Sequence, residues 1–381
     1  MNCADLLVLV AGRAIDSQLP DGSMPAGRNG PYGHPETSLR NSGHWMHTFI
    51  KAYSLTGERR FEDAAHRIAG LLLQPEARPG GHTFHHRTAP GKDHCNGLIG
   101  QAWTIESLVL AWSHFRSPEH LALALDVFRA HGFDSNYGLW RICEIDGSSP
   151  GFDPTLNHQL WFAAAAARLL DSGAPDVRLA LDVFLQRLPG NMLLFPNGLI
   201  YHPIPHLQSR RWRVGMMASR VVGSSLFPRS LLRRRPVANA ASQYMKCVGY
   251  HAFCAHALAT LKLRIPSHSF WRSSSADRVA RYLLSPDYTS LINDERRYGF
   301  PYNGPGFEVP FAVSILTGST DVEASQLASS WVTAQVLRTF NPDSMRFDKN
   351  TGDPATLTAR IYEMSGLPDQ VLKAAVLGDV G

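Results

Sequence analysis

Three short runs hold residue types able to do chemistry: Asp93-His94-Cys95-Asn96, Asp153-Pro154-Thr155-Leu156-Asn157-His158-Gln159 and Asn303-Gly304-Pro305-Gly306-Phe307-Glu308. Each stands where a long polar loop gives way to an apolar, helix-forming stretch. At a helix start, bare backbone N–H groups and the helix dipole favour an anion or a developing negative charge. Asp93 or Asn96 as a simple N-cap is the plain structural reading. One cap does not account for Asp, His and Asn together, with Gln101, Trp103 and Glu106 following on the same helix. Asp153-Pro154-Thr155 also reads first as a cap followed by proline. Asn157, His158 and Gln159 then fill the first turn of a helix that turns wholly apolar, so their heads are expected to reach a cavity. His158 reads as a base, a proton shuttle or a satisfied core histidine.

Further clusters follow the same logic. Arg40-Asn41 precedes His44-Trp45, where Trp45 would be a stacking platform in a sugar site and Arg40 would pair with a carboxylate or sulfate. Tryptophan is, however, more often plain core. Tyr302, Asn303 and Glu308 lie beside Gly304 and Gly306, which allow close approach of backbone to a ligand. Arg360, Tyr362 and Glu363 read as an internal Arg–Glu pair tying the molecule shut. His82, His85, His86 and His94 are close in sequence, but without HExxH or paired CxxC spacing no metal is expected. Nor is any cofactor, since no Walker loop, no GxGxxG on a strand and no GxSxG elbow is present.

The elements that must position these residues are helices. Helical periodicity and punctuation by Gly and Pro predict twelve, at 3–18, 39–55, 58–73, 96–115, 118–131, 155–172, 175–188, 240–262, 269–284, 307–317, 321–339 and 355–366. Turns are short within pairs and long between them, and short turns make neighbours antiparallel. Every long loop then emerges on one rim. The fold class is all-α, an (α/α)6 toroid of six helical hairpins spanning 1–366, with 367–381 as a tail. The small-residue, apolar stretches 102–112, 160–170 and 251–261 suit the inner ring. A basic insertion at about 204–239 breaks the pattern. It holds Arg210, Arg211, Arg213, Arg220, Arg229, Arg233, Arg234 and Arg235, with Trp212 and Phe227 interleaved. It reads as a lid over an anionic substrate, a membrane-surface or partner contact, or a solvated loop.

The net charge of +5 favours an anionic partner. Nucleic acid is not expected, because no binding motif accompanies the charge. Five cysteines at irregular spacing argue against a disulfide framework and for a reducing compartment. The apolar run Leu6–Val10 is short and lacks a basic flank, so it reads as a buried helix, not a signal peptide. The expectation is a soluble, cytoplasmic protein.

With its hairpin count, Arg40-Asn41-Ser42-Gly43-His44-Trp45, Asn96-Gly97-Leu98-Ile99-Gly100-Gln101-Ala102-Trp103 and Asn157-His158-Gln159-Leu160-Trp161-Phe162, the chain resembles six-hairpin carbohydrate-active proteins. These comprise glycosidases, polysaccharide lyases and sugar epimerases, and the runs are similar to those of uncharacterised bacterial proteins of surface-polysaccharide gene clusters. The resemblance implies an oligo- or polysaccharide substrate, anionic by the charge balance, held in the rim cavity that the long loops line. The substrate-binding set is Arg40, Asn41, His44, Trp45, His94, Asn96, Gln101, Trp103, Asn157, Gln159, Tyr201, Tyr302 and Asn303. Glycoside hydrolysis is the first expected reaction, with Asp93 and Asp153 as the carboxyl pair and Glu308 as substitute. A lyase acting on a uronate would use His158 as base, Tyr201 or Tyr302 as acid, and Asn96, Asn157 or Arg40 to neutralise the carboxylate. An epimerase would use two proton-transfer groups, such as His94 and His158. The non-enzymatic alternative is a glycan-binding or scaffold protein of a synthesis complex, docked to anionic lipid or a partner through 204–239.

Overall fold

Apolar residues stripe some helices and encircle others, and this difference sorts them into two layers. In α3 (Arg59–Leu72) the buried residues are Phe61, Ala64, Ala65, Ile68, Ala69 and Leu72, one face only, which suits an outer helix. In α6 (Leu156–Arg168) every residue from Leu160 to Ala167 is buried, so neighbours must cover it on all sides. The computed structural model describes residues 1–208 and 235–378. Among these, α2 (Leu39–Thr56), α4 (Gly97–Phe115), α6 and α8 (Arg235–Arg264) follow one another around an inner ring. The ring continues through α11 (Pro305–Thr317) and α13 (Pro354–Ala359), which runs on as a 3-10 turn, Arg360–Gly366. That turn packs on both α11 and α2, so the ring closes.

The outer layer comprises α1 (Cys3–Ile15), α3, α5 (Pro118–Ala130), α7 (Pro175–Asn191), α9 (Ser274–Leu283) and α12 (Asp321–Thr339). The fold is therefore the expected (α/α)6 toroid. A small antiparallel sheet, β1 (Phe133–Asp134), β2 (Leu139–Ile142) and β3 (Gly151–Phe152), folds the loop ahead of α6, with Phe133 opposite Trp140 and Arg141 opposite Phe152. Among the described residues no helix is long and apolar enough to cross a membrane.

The structure departs from the sequence reading in three places. The expected loop at 285–305 contains α10 (Pro286–Asp294), which Ser285 caps by accepting the Tyr288 N–H at 3.1 Å. The segment after 366 carries α14 (Asp369–Ala374), which packs on α1 and α12. It is held by Cys3 N–H donating to the Ala375 carbonyl at 2.9 Å, so it is part of the outer layer and not a tail. Helix α8 begins at Arg235, earlier than expected, so the last residues assigned to the basic insertion are its first turns. Residues 204–208 of that insertion are described, with a 3-10 turn at Pro205–Leu207, and 209–234, Arg210 to Arg234 among them, lie outside the described residues.

Candidate functional site

The long loops precede the inner helices, so the N-terminal ends of those helices share one rim. There they enclose a cavity of about 230 Å³. Its lining draws Arg40 from α2, Asn96 from the N-cap of α4 and Trp103 from within it, and Asn157 and His158 from α6. Lys246 and Tyr250 come from α8, and His202, Tyr302, Asn303 and Arg360 complete the circuit. Arg87 and Lys92 reach in from the loop before α4.

His158 is the reactive group with the most defined geometry. Its Nδ1 lies 2.8 Å from Asp153 Oδ2. An ionised carboxylate only accepts, so Nδ1–H donates, and in the neutral imidazole the lone pair is on Nε2. His158 keeps 25% of its side chain exposed against 3% for Asp153, so the imidazole faces the cavity and the carboxylate supports it from behind. Burial pushes the Asp153 carboxyl up, but the His158 imidazole and the N–H groups of Leu98 and Thr155 outweigh it and hold the group below its ordinary value. Asp153 Oδ2 is also 3.1 Å from the Leu98 nitrogen at the start of α4, so one carboxylate ties two neighbouring inner helices together. Gly97 makes this approach possible: its φ is +55°, and a Cβ there would sit 2.5 Å from Asp153 Oδ2.

The lining is strongly cationic. Arg40 and Arg360 are each 1% exposed, and both have a buried Nε without a partner among the described residues. Arg40 lies over the Trp103 ring at 4.2 Å and is held by Glu36 at 3.3 Å. Arg360 bridges Glu308 and Glu363, so the Arg–Glu pair read from the sequence forms. The Lys246 ammonium sits 5.5, 5.7 and 5.6 Å from the ring centres of Tyr32, Tyr250 and Tyr298. Burial pushes it below its ordinary pKa. His202 is buried, its Nδ1 unpartnered among the described residues, its ring 4.5 Å from Tyr250. Burial first, then Lys246 and His158, lower its pKa well below the ordinary range, so it is neutral. Among the described lining residues none is a carboxylate.

Of the residues singled out in the sequence, Arg40, Asn96, Trp103, Asn157, His158, Tyr302 and Asn303 line this cavity. Others stand elsewhere, each for a definite reason. Asp93 pairs with Arg87 and accepts the Gly97 N–H at 2.6 Å, so it caps α4. Asp153 supports His158 without lining the cavity, and Glu308 is wholly buried against Arg360. Asp93 and Asp153 thus converge on the start of α4 as caps and not as a pair facing a substrate. Asn41 donates to the Pro25 carbonyl at 2.8 Å. His44 is stacked on Tyr362 with ring centres 4.1 Å apart. Trp45 faces a separate apolar cavity beside Val10, Met24 and Pro25. His94 is exposed, 5.3 Å from the His85 ring. Tyr201 is buried against Phe195.

Gln101 and Gln159 prove to be matching locks. Gln101 accepts the Phe84 N–H and donates to the Phe84 and Cys95 carbonyls at 2.9, 2.9 and 2.8 Å. Gln159 accepts the Trp140 N–H and donates to the Trp140 and Asp153 carbonyls at 3.0, 2.8 and 3.2 Å. Each staples its rim loop to its inner helix. The repeated polar pattern in the sequence is, at these two positions, a structural repeat.

Sequence reasoning missed Tyr32, Arg87, Lys92, His202, Lys246 and Tyr250. No local motif marks them, because ring closure alone brings them to one place. Among the described residues, Asp93, Cys95 and Glu144 form one group with ligand atoms within 4.8 Å of one another. Their acceptors are already taken: Glu144 binds the His94 and Cys95 N–H groups, and Asp93 binds Arg87 and Gly97.

The sequence matches no family model. It is 39% identical over 376 residues to archaeal glycosylation protein Q of Haloferax volcanii, covering 97% of this chain and 98% of that protein. Among solved structures, a D-mannose isomerase superposes with a TM-score of 0.63 at 13% identity, covering 97% of each chain. An unsaturated glucuronyl hydrolase specific for heparin gives 0.61 at 13% identity, over 98% of this chain and 95% of that one. An α-1,6-mannanase from Salegentibacter gives 0.58 at 10% identity, over 96% and 98%. These structural neighbours are (α/α)6-toroid carbohydrate-active proteins, as the sequence resemblance implied.

Proposed function

Because the chain belongs to the family of archaeal glycosylation protein Q, we propose that it is a sugar-processing enzyme that moves a proton on carbon in an acidic sugar. The reaction is of the isomerase or epimerase type, with His158 as base. The observation that carries this reading is a histidine oriented by Asp153, facing a cavity whose described lining holds five cationic side chains and no carboxylate. In this reading His158 Nε2 takes the proton from the carbon next to a carbonyl, and the C–H electron pair passes into an enediolate. Lys246, which pairs with no carboxylate among the described residues, counters its charge and that of the substrate's own carboxylate, while Arg40 and Arg360, already paired with Glu36, Glu308 and Glu363, contribute hydrogen-bond donors. His158 returns the proton to the neighbouring carbon in an isomerase; in an epimerase a second group would donate a proton to the opposite face of the same carbon while His158 keeps the first.

Hydrolysis by paired carboxylates needs two carboxyl groups flanking the glycosidic bond. The candidates Asp93, Asp153 and Glu308 are committed to backbone N–H groups or to buried cations. A polysaccharide lyase would use the same base, with the enolate expelling a leaving group. One experiment separates these outcomes: incubate the protein in D2O with free hexuronates and short uronate-containing glycans, and follow carbon-bound protons by NMR. Deuterium entering a sugar carbon with formation of an isomer, lost in His158→Ala, supports the proposal. New reducing ends without exchange would overturn it in favour of hydrolysis. The ultraviolet absorbance of a new unsaturated uronate would replace isomerisation by elimination.

A further inference from the structure

The inner ring has a second mouth, at the C-terminal ends of the same helices, and it holds a separate polar cavity of about 300 Å³. Its walls come from α2, α4, α6, α8, α11 and the 3-10 turn that closes the ring. Tyr362 and Glu363 on that turn separate it from the rim cavity, since Glu363 pairs with Arg360, a residue of the rim cavity, at 2.6 Å.

Four side chains that line this second cavity are more than nine-tenths buried and carry a polar atom without a hydrogen-bond partner among the described residues. They are His47 Nε2, His256 Nδ1, the Tyr362 hydroxyl and Glu363 Oε2, at 7, 5, 3 and 1% residue exposure. A buried polar group left unpaired is costly, and four around one cavity imply a molecule that pairs with them. The fixed charges, by contrast, are already matched. Arg168 pairs with Glu106 at 2.5 Å, Lys51 with Asp369 at 2.6 Å, and Glu363 with Arg360. A charged ligand would have to break one of these pairs, whereas a neutral ligand rich in hydroxyls meets both donors and acceptors. The walls are stiff: His256 stacks on Trp161 at 5.5 Å and lies 4.6 Å from Phe311, and Tyr362 stacks on His44. Aromatic lining residues, Phe311 and Tyr362, beside unpaired polar atoms suit a ligand that is both apolar-faced and hydroxyl-rich, as a sugar is.

We propose that this cavity is a second binding site, for a neutral monosaccharide, distinct from the cationic cavity at the rim. The inference does not depend on the reaction proposed above. The test is titration of the intact protein with glucose, galactose, mannose and N-acetylglucosamine, read by saturation-transfer NMR and calorimetry. It is run on wild type, Tyr362→Phe, Leu110→Trp and His158→Ala. Leu110 lines the cavity and is only partly buried, so a tryptophan there fills the space without entering the core. Saturable binding of at least one sugar is expected, unchanged in His158→Ala, lost in Leu110→Trp, and weakened about fivefold in Tyr362→Phe, the worth of one neutral hydrogen bond. If Leu110→Trp does not fold, Tyr362→Phe decides alone, since it keeps the ring and its stacking. Binding that vanishes in His158→Ala but survives in Leu110→Trp and Tyr362→Phe would put the sugar in the rim cavity and overturn the proposal. So would the absence of binding by all four sugars to the wild type.

Discussion

His158 can act through only one nitrogen, because Asp153 holds the other at 2.8 Å. Asp153→Asn keeps the size but removes the charge, and its single amide oxygen cannot replace the two carboxylate oxygens that serve His158, Leu98 and Thr155. We expect kcat to fall ~100-fold or more with KM little changed, since the loss concerns proton transfer and not substrate contact. Steady-state kinetics on the acidic sugar that turns over would check the split. Lys246→Gln should do the reverse. Removing a desolvated ammonium raises KM for an acidic sugar by roughly tenfold or more, the scale of a charge-assisted hydrogen bond. Its uncharged methyl ester should be bound equally by both proteins. At this scale the sequence was legible where chemistry sits in a first helical turn, as with Asn157 and His158. It was not legible for Lys246 and His202, which no spacing along the chain connects to His158. Asp93 was overread for a related reason: a cap and a catalytic carboxylate share the same position at a helix start, and only the Gly97 N–H at 2.6 Å tells them apart.

The hairpins depend on glutamine locks that no periodicity reveals. Gln101→Ala would strip the Phe84 N–H and the Phe84 and Cys95 carbonyls of their buried partner. We expect a loss of at least about 3 kcal/mol, from three orphaned backbone groups at roughly 1–3 kcal/mol each. Gln159→Ala should cost a similar amount, and urea unfolding of both variants would measure it. Gly97→Ala belongs beside them, since it meets both a φ of +55° and a contact at 2.5 Å with Asp153. It should weaken the protein and turnover together. Most helices could be read from the chain because their apolar stripes recur at helical spacing, and short turns fixed their pairing. Helix α10 was hidden in a polar stretch with few apolar anchors, of which only Tyr288 and Ile292 are buried. In the runs beginning at Asn96 and Asn157, Gln101 and Gln159 carry the fold while Asn96, Asn157 and His158 face the cavity, and sequence alone does not divide the two duties.

The whole molecule is a closed ring with an unusually ionisable interior, and this sets how it should answer to pH. Burial lowers His47, His86, His251 and His256 to about 3 and His131 to about 4, from an ordinary 6.5. Burial also holds His44 and His202 well below that value. As pH falls below 6.5 the unfolded chain takes up protons that the folded ring refuses, so stability drops with acidification down to about pH 3–4. The buried carboxyls oppose this. Burial raises Glu308 from 4.5 to about 8 and Glu363 well above its ordinary value, despite Arg360 between them. Their contribution is complete below 4.5 and is lost as pH rises through about 8. Burial raises Glu36 and Glu106 as well, yet in the window where both sets act seven histidines outweigh these four carboxyls, so stability should peak between roughly pH 6 and 7 and fall more steeply on the acid side. Calorimetric melting from pH 4.5 to 9 would trace this curve. His86→Gln removes one of the seven rings, and the acid limb should then flatten by about 1.4 kcal/mol per pH unit, one proton's worth. A symmetric curve, or an acid limb unchanged in that variant, would mean that the interior histidines are already charged in the folded ring.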